Sequence, residues 1–237
     1  MFDFLIISTR LLRSGVMEIY PKFRMYPKSS DLMVRGGDFY AIWVEERGLW
    51  SRDENDALNL IDRALDQYAE ENRHQFGTNV VVRHMWDSES GMVDAWHRYC
   101  QKQLRDSYEP LDETLVFSNM ETDKKLYASK RLDYPLEPGD ISNYDKLIST
   151  LYSEEERMKI EWAIGSIISG DSKTIQKFMV LYGAAGTGKS TILNIIQQLF
   201  EGYYSVFDAK ALGSATSQFA LESFRKNPLV AIQHDGD

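Results

Sequence analysis

Residues 183–190 have the composition and spacing of a loop that binds the phosphates of a nucleotide. They read Gly-Ala-Ala-Gly-Thr-Gly-Lys-Ser and match G-x-x-x-x-G-K-[ST] at every fixed position. Glycine permits the dihedrals that wrap backbone N–H groups closely around phosphate, and a following helix offers its positive end. We expect Lys189 to contact the β- and γ-phosphates and Ser190 to ligate Mg²⁺. The predicted nucleotide-binding residues are Gly183, Ala184, Ala185, Gly186, Thr187, Gly188, Lys189, Ser190 and Thr191.

A second, acidic element is expected at the end of a neighbouring buried strand. Residues 229–232 (Leu-Val-Ala-Ile) predict that strand, and residues 233–237 (Gln-His-Asp-Gly-Asp) are its polar end. We expect Asp235 to be the catalytic partner of Mg²⁺, and Asp237 to share that role or to polarise the attacking water. The alternative is that both are ordinary loop carboxylates after a strand.

The elements around the loop predict an α/β fold. An apolar strand over Phe178–Tyr182 runs into the loop, and an amphipathic helix follows it as far as Gly202. A strand over Tyr203–Phe207 and a helix over Ser217–Phe224 come next. The helix before the loop begins with a capping box at Ser153 and Glu156. The predicted fold class is a P-loop NTPase parallel sheet, incomplete at its C-terminus, preceded by a smaller α+β accessory domain.

Weaker patterns predict that accessory domain. The β-branched and aromatic residues 39–44 and the pair Leu49-Trp50 predict a β-hairpin, and a helix capped by Asp53 follows as far as about Glu71. Further predicted elements are a short helix near Leu5–Met17, a strand at Val80–Val82, a helix over Met92–Leu104 and a strand at Leu115–Phe117.

Composition limits the class of protein. The chain has 237 residues, 43% hydrophobic and 27% charged, which is an ordinary globular profile. A single cysteine, Cys100, forms no intrachain disulfide, so a cytoplasmic setting is the default. Because no apolar run is long enough to span a membrane and residues 1–10 lack the layout of a signal peptide, we expect no membrane association.

The charge is unevenly distributed. The net charge is -9, yet residues 171–237 contain six basic and six acidic side chains, so the excess of acid lies in residues 1–170. This contrast indicates two units. We predict an uncertain N-terminal segment at 1–35, the accessory domain at 36–140 and the ATPase part at 141–237. The acidic part is expected to be a poor non-specific DNA binder, although a local basic site stays open.

The chain resembles the superfamily 3 helicases of phages, plasmids and large DNA viruses, especially the helicase part of phage primase-helicase and primase-polymerase proteins. The segments that carry the resemblance are KFMVLYGAAGTGKSTILNIIQQLF, the short gap to LVAIQHDGD, and the helix EEERMKIEWAIGSIISGDSKT. A looser similarity extends upstream to about residue 33. By position, Gly183, Gly186, Gly188, Lys189 and Ser190 match the phosphate-binding loop. Asp235 or Asp237 matches the acidic motif, although Asp-Gly-Asp departs from two adjacent acids.

The resemblance implies an ATP- and Mg²⁺-dependent motor of DNA replication. It implies a homo-oligomeric ring, usually a hexamer, that moves on single-stranded or forked DNA alongside other replication proteins in the bacterial cytoplasm. The family also has a polar sensor and an arginine finger after the second motif. Because the chain stops at Asp237, we expect it to be one piece of a longer protein.

Rival interpretations remain at this point. The chain alone is either a helicase-type ATPase or a non-catalytic module that binds nucleotide or a partner without turnover, and a small-molecule kinase is disfavoured because no acceptor-binding segment follows the loop. His97 and Cys100 have ligand-like spacing, but a surface histidine beside a buried thiol is the favoured interpretation. The group Phe39, Tyr40, Trp43 and Trp50 is favoured as a small core over a base-stacking surface.

Overall fold

The structure is a computed structural model that describes residues 2–25, 29–87, 91–103, 108–210, 221–225 and 227–234. The chain divides into two compact units. The first comprises Met1–Leu111 and Thr122–Ser129, and the second comprises Asp112–Glu121 and Lys130–Asp237. Within the described residues, no helix is long and apolar enough to cross a bilayer.

The first unit is an α+β arrangement of two small sheets and two long helices. Its elements are β1 (Leu5–Leu11), β2 (Met17–Phe23), β3 (Leu32–Arg35), β4 (Asp38–Val44), β5 (Leu49–Ser51), α1 (Glu54–Glu71), α2 (Arg73–Phe76), β6 (Val80–Val82) and α3 (Met92–Lys102). The sheet orders are β1-β2-β6 and β3-β4-β5.

The helix predicted near Leu5–Met17 is wrong, because this segment forms most of a β-hairpin. Strands β1 and β2 pair antiparallel over seven residues each, and the turn between them has Gly15 in the left-handed region at φ 77°. The pairing places Phe4 and Ile19 in the core, both with 0% exposure. Burial of one face of a paired strand therefore outweighs the apolar run that favoured a helix.

The second sheet confirms the predicted hairpin and the interpretation of its two tryptophans. Strands β4 and β5 pair antiparallel, and Trp43 lies opposite Trp50. Both indoles are buried and meet edge to face at 5.8 Å, together with Met33, Ala41 and Leu111. They are core residues and are therefore not a surface for stacking bases.

Helices α1 and α3 cover the sheets and form the larger core. Asp53 caps α1 as predicted, since its side chain accepts from the backbone N–H of Asn55. Ile61, Leu65 and Trp96 are fully buried. The Trp96 indole N–H donates to Glu54 Oε1 at 2.8 Å, so the largest core side chain keeps its polar atom satisfied.

The second unit contains the predicted loop and most of the remaining helices. Its elements are β7 (Val116–Phe117), β8 (Arg131–Leu132), α4 (Ser142–Leu151), α5 (Glu154–Ile168), α6 (Ser172–Ile175), α7 (Lys189–Leu199), β9 (Tyr204–Val206) and β10 (Val230–Ile232). The capping box of α5 is confirmed in both directions between Ser153 and Glu156. The core joins α4, α5, α7 and β10 through Ile148, Ile160, Ile192, Ile196, Phe200 and Ile232.

Glu18 is a covered carboxylate on the first sheet. Its side chain is 2% exposed and accepts from Arg10 and, at 2.8 Å, from Arg83 Nε. The hydrogen bonds from Arg10 and then Arg83 hold the pKa of Glu18 below its usual value of 4.5. The pair of arginines therefore ties strand β1 and the residue after β6 to the central strand of this sheet.

We expect Glu18→Gln to lower the free energy of unfolding of the first unit by about 1 kcal/mol at neutral pH, a small value because the Arg10 side chain is exposed and the Arg83 side chain is partly exposed. Because the pKa of Glu18 is lower in the folded than in the unfolded chain, its carboxylate stabilises the folded unit above pH 4.5. That stabilisation is lost as the pH falls through the folded-state pKa. Urea unfolding followed by tryptophan fluorescence at several pH values measures the gap between wild type and variant. The gap should close below pH 4.5; a gap that widens on acidification contradicts this assignment.

Candidate nucleotide-binding site

The loop over residues 183–188 closes on itself around the side chain of Lys189. The Lys189 ammonium donates to the carbonyl oxygens of Gly183 at 2.8 Å and Ala184 at 2.7 Å. The Thr187 hydroxyl donates to the same Ala184 carbonyl at 3.0 Å. The cation is therefore held against the backbone of the loop, directly at the start of α7.

Two glycines of the loop occupy the left-handed region that favours glycine. Gly186 has φ 82° and Gly188 has φ 81°. At Gly188 there is also a close approach, because a Cβ built there would lie 2.8 Å from Cδ1 of Leu151. Gly188, a fixed glycine of the motif, thus has both a conformational and a packing cause, and Gly186, which stands at a variable position of the motif, has a conformational one.

The N-terminus of α7 supplies free backbone donors. No side chain caps the helix at Gly188, and its first intrahelical bond runs from Ile192 N–H to Gly188 O at 3.1 Å. The N–H groups of the residues before Ile192 therefore have no intrahelical acceptor. Ser190 and Thr191 are exposed beside them. This donor set fits an anionic phosphate chain at the helix end, with a hydroxyl available for a divalent cation.

The strand predicted over Phe178–Tyr182 is not formed. These residues have no strand pairing, and Phe178 is 89% exposed, Val180 69% and Tyr182 99%. Residues 177–179 and 229–233 line a common apolar cleft of about 460 Å³, together with residues of α5 and α7. An apolar segment becomes a strand only where a neighbour completes its hydrogen bonds, and residues 178–182 have no such neighbour among the described strands.

The two strands predicted after α7 are confirmed and pair with each other. Strands β9 and β10 are parallel, with Ala231 opposite Ser205. Beyond β10, Nε2 of His234 lies 2.9 Å from Nε2 of Gln197. Gln197 is about 12 Å along the axis of α7 from Lys189, at a rise of about 1.5 Å per residue.

Of the two predicted motifs, the described residues contain the first. Residues 183–191 form one continuous loop and helix start. Asp235 and Asp237, the predicted Mg²⁺ and water partners, lie outside the described residues, as does the predicted helix over Ser217–Phe224 as far as residue 220. The contact between His234 and Gln197 fixes the end of β10 beside the second half of α7.

Two contributions to the site were missed from the sequence. Helix α4 was not predicted, yet it supplies Leu151 beneath Gly188. Its signal is present, because Asp140 accepts from Ser142 N–H at 2.9 Å and Tyr144, Ile148 and Leu151 recur at helical spacing. The pairing of Gln197 with His234 joins residues far apart in the chain and has no local signal.

His97 and Cys100 do not form a metal centre in the described part of the chain. His97 Nε2 lies 3.2 Å from Glu54 Oε1, and Cys100 is buried. Burial raises the pKa of the Cys100 thiol to about 12, so it is protonated at neutral pH. No group of three or more His, Cys, Asp or Glu side chains among the described residues is arranged to hold a metal ion.

Comparison of the chain with protein-family models, with curated proteins and with solved structures found no match. The loop geometry is therefore what bears on function.

We expect Gly188→Ala to lower the free energy of unfolding of the second unit by about 1–3 kcal/mol, because alanine at positive φ is strained and its Cβ meets Leu151. Gly165→Ala is the matched control. Gly165 lies inside α5 with open space around its Cβ position, so alanine there should stabilise by about 0.5–1 kcal/mol. Chemical denaturation of both variants checks the two signs. If Gly188→Ala raises the free energy of unfolding as Gly165→Ala does, the loop does not need glycine at position 188.

Proposed function

We propose that this chain is the nucleotide-binding part of an ATP-dependent DNA helicase that acts in the replication of a phage or mobile element. The observation that carries the proposal is the loop over residues 183–188, with Lys189 held against its carbonyls and an uncapped helix N-terminus directly after it. A lysine and free amides that converge at one helix end suit a phosphate group, and the complete G-x-x-x-x-G-K-[ST] pattern favours the phosphates of a nucleotide.

The proposed chemistry is hydrolysis of the terminal phosphoryl group by in-line attack of water. Lys189 and the amides at the start of α7 would stabilise the charge that spreads over the transferring phosphoryl group. Bound Mg²⁺ would supply further neutralisation of the phosphate charge. Ser190 and Asp235 are the residues proposed to hold Mg²⁺, and Asp237 is proposed to assist Asp235 or to orient the water.

The wider setting is proposed from the family resemblance. The complete protein would assemble as a homo-oligomeric ring, as a hexamer in most relatives of this type. Its substrates would be single-stranded or forked DNA, and its partners other replication proteins in the cytoplasm of a bacterial host. The neutral charge balance of residues 171–237 opposes DNA contact less than the acidic excess of residues 1–170 does.

A second candidate is nucleotide binding without turnover by these 237 residues alone. The exposed apolar segment at Phe178–Tyr182 and the open cleft beside β10 favour it, since the segment that leads into the loop is not paired in a sheet. A loop that is not braced by a sheet would hold phosphate without the fixed geometry that hydrolysis requires. The two candidates therefore share the binding site and differ in rate.

Lys189→Ala should abolish ATP hydrolysis by the complete assembled protein and weaken ATP binding by about tenfold or more, because the charge-assisted contact with phosphate is lost. Lys146→Ala removes an exposed lysine of α4 in the same unit and is the matched control. Release of radiolabelled phosphate, with and without single-stranded DNA, measures the rate.

Each outcome assigns the function. Hydrolysis stimulated by DNA and lost only in Lys189→Ala supports the helicase. ATP binding without hydrolysis in the 237-residue chain supports the non-catalytic candidate for that chain. Wild-type hydrolysis by Lys189→Ala removes Lys189 from the mechanism and contradicts both interpretations of the loop.

A further inference from the structure

Two arginines and two tyrosines meet on the surface of the first unit, and we name Arg35, Tyr40, Arg52 and Tyr108 the arginine–tyrosine surface. The Cζ atoms of Arg35 and Arg52 lie 5.8 and 5.6 Å from the centroid of the Tyr40 ring. Arg35 also lies 5.3 Å from the Tyr108 ring, which meets Tyr40 edge to face at 5.4 Å. The arginines are exposed and the rings are half-buried. The rings thus fix two cations at one place.

A β-bulge directs Tyr40 to this surface. Met33 pairs with Ala41 and Val34 pairs with Phe39, so Tyr40 is the extra residue of strand β4. Its ring packs against the edge of the tryptophan core instead of taking the next alternating position in the larger core. Bulges re-aim side chains and are frequent near functional sites. The bulge therefore places the Tyr40 ring between the two arginines.

Among the described residues, the two guanidiniums contact tyrosine rings and no carboxylate. In the part of the chain that the structure describes, Arg35 and Arg52 have no ion pair or hydrogen bond, whereas Arg47, Arg63, Arg73 and Arg83 all pair with carboxylates. This occurs in a region with an excess of acid. The tyrosine rings hold each guanidinium by cation–π contact, which uses none of its N–H donors and leaves them available for an external anion.

We propose that the arginine–tyrosine surface binds single-stranded nucleic acid. The N–H donors of a guanidinium match a phosphate, and a guanidinium plane can also stack on a base. Arginine and aromatic side chains together are the composition that single-strand binders use, whereas an acidic peptide would need the charges alone. The surface gives the acidic first unit a local nucleic-acid contact in addition to the proposed motor.

The test is fluorescence anisotropy of a labelled oligothymidylate with the full chain over a range of salt concentrations, without nucleotide. The double variant Arg35→Ala/Arg52→Ala should weaken binding by about tenfold. Because each phosphate contact on a single strand contributes about 0.7 to the slope of log K against log salt, the slope should become shallower by about 1.4. Omission of ATP keeps this result independent of the proposed ATPase.

The matched control is Arg63→Ala/Arg73→Ala, which removes the same charge from exposed arginines of the same unit. It should leave affinity and slope within about twofold and a few tenths of wild type. Wild-type binding by Arg35→Ala/Arg52→Ala, an equal loss in the control, or no binding by the wild-type chain overturns the proposal. Competition by oligoglutamate as strong as by unlabelled oligothymidylate overturns it in favour of an acidic peptide.

Discussion

The candidate site depends on the packing of one helix. Helix α7 buries Ile192, Ile196 and Phe200 almost completely in the core of the second unit, at about 1.5–3 kcal/mol for each side chain. These contacts fix the axis of the helix and leave its N-terminus at the surface. The loop over residues 183–188 is joined to that end with no intervening residue. Its position therefore follows from the apolar face of α7, although the segment before the loop is unpaired.

The state of Lys189 indicates how the loop would accept a ligand. Its ammonium now uses the neutral carbonyl oxygens of Gly183 and Ala184. A phosphate would exchange those acceptors for charged oxygens, which form shorter and stronger hydrogen bonds with an ammonium. Binding would then also turn the loop carbonyls away from the cation. The glycines at 186 and 188 are the positions where the backbone tolerates such a loop without strain.

Local signals were sufficient for much of the fold. The cap at Asp53, the capping box at Ser153, the tryptophan hairpin and strands β9 and β10 were all predicted, because each rests on neighbouring residues. The wrong predictions concern segments whose structure depends on distant partners. The apolar run of β1 predicts a helix, and only its pairing with β2 makes it a strand. Phe178–Tyr182 is apolar enough for a strand but lacks a neighbouring strand in the described part of the chain. Within the site, the motif predicted that a helix begins directly after the loop, as α7 does at Lys189, whereas Leu151 and the contact of Gln197 with His234 depend on tertiary packing.

The proposed function requires that the loop and the start of α7 bind the phosphates of ATP. Calorimetric titration of the 237-residue chain with ATP, with and without Mg²⁺, measures this directly, because it requires neither an assembled ring nor hydrolysis. We expect saturable ATP binding at one site per chain. Mg²⁺ should strengthen this binding, and inorganic triphosphate should displace the ATP. Absence of any saturable heat at millimolar ATP, or binding that triphosphate does not displace, would contradict it.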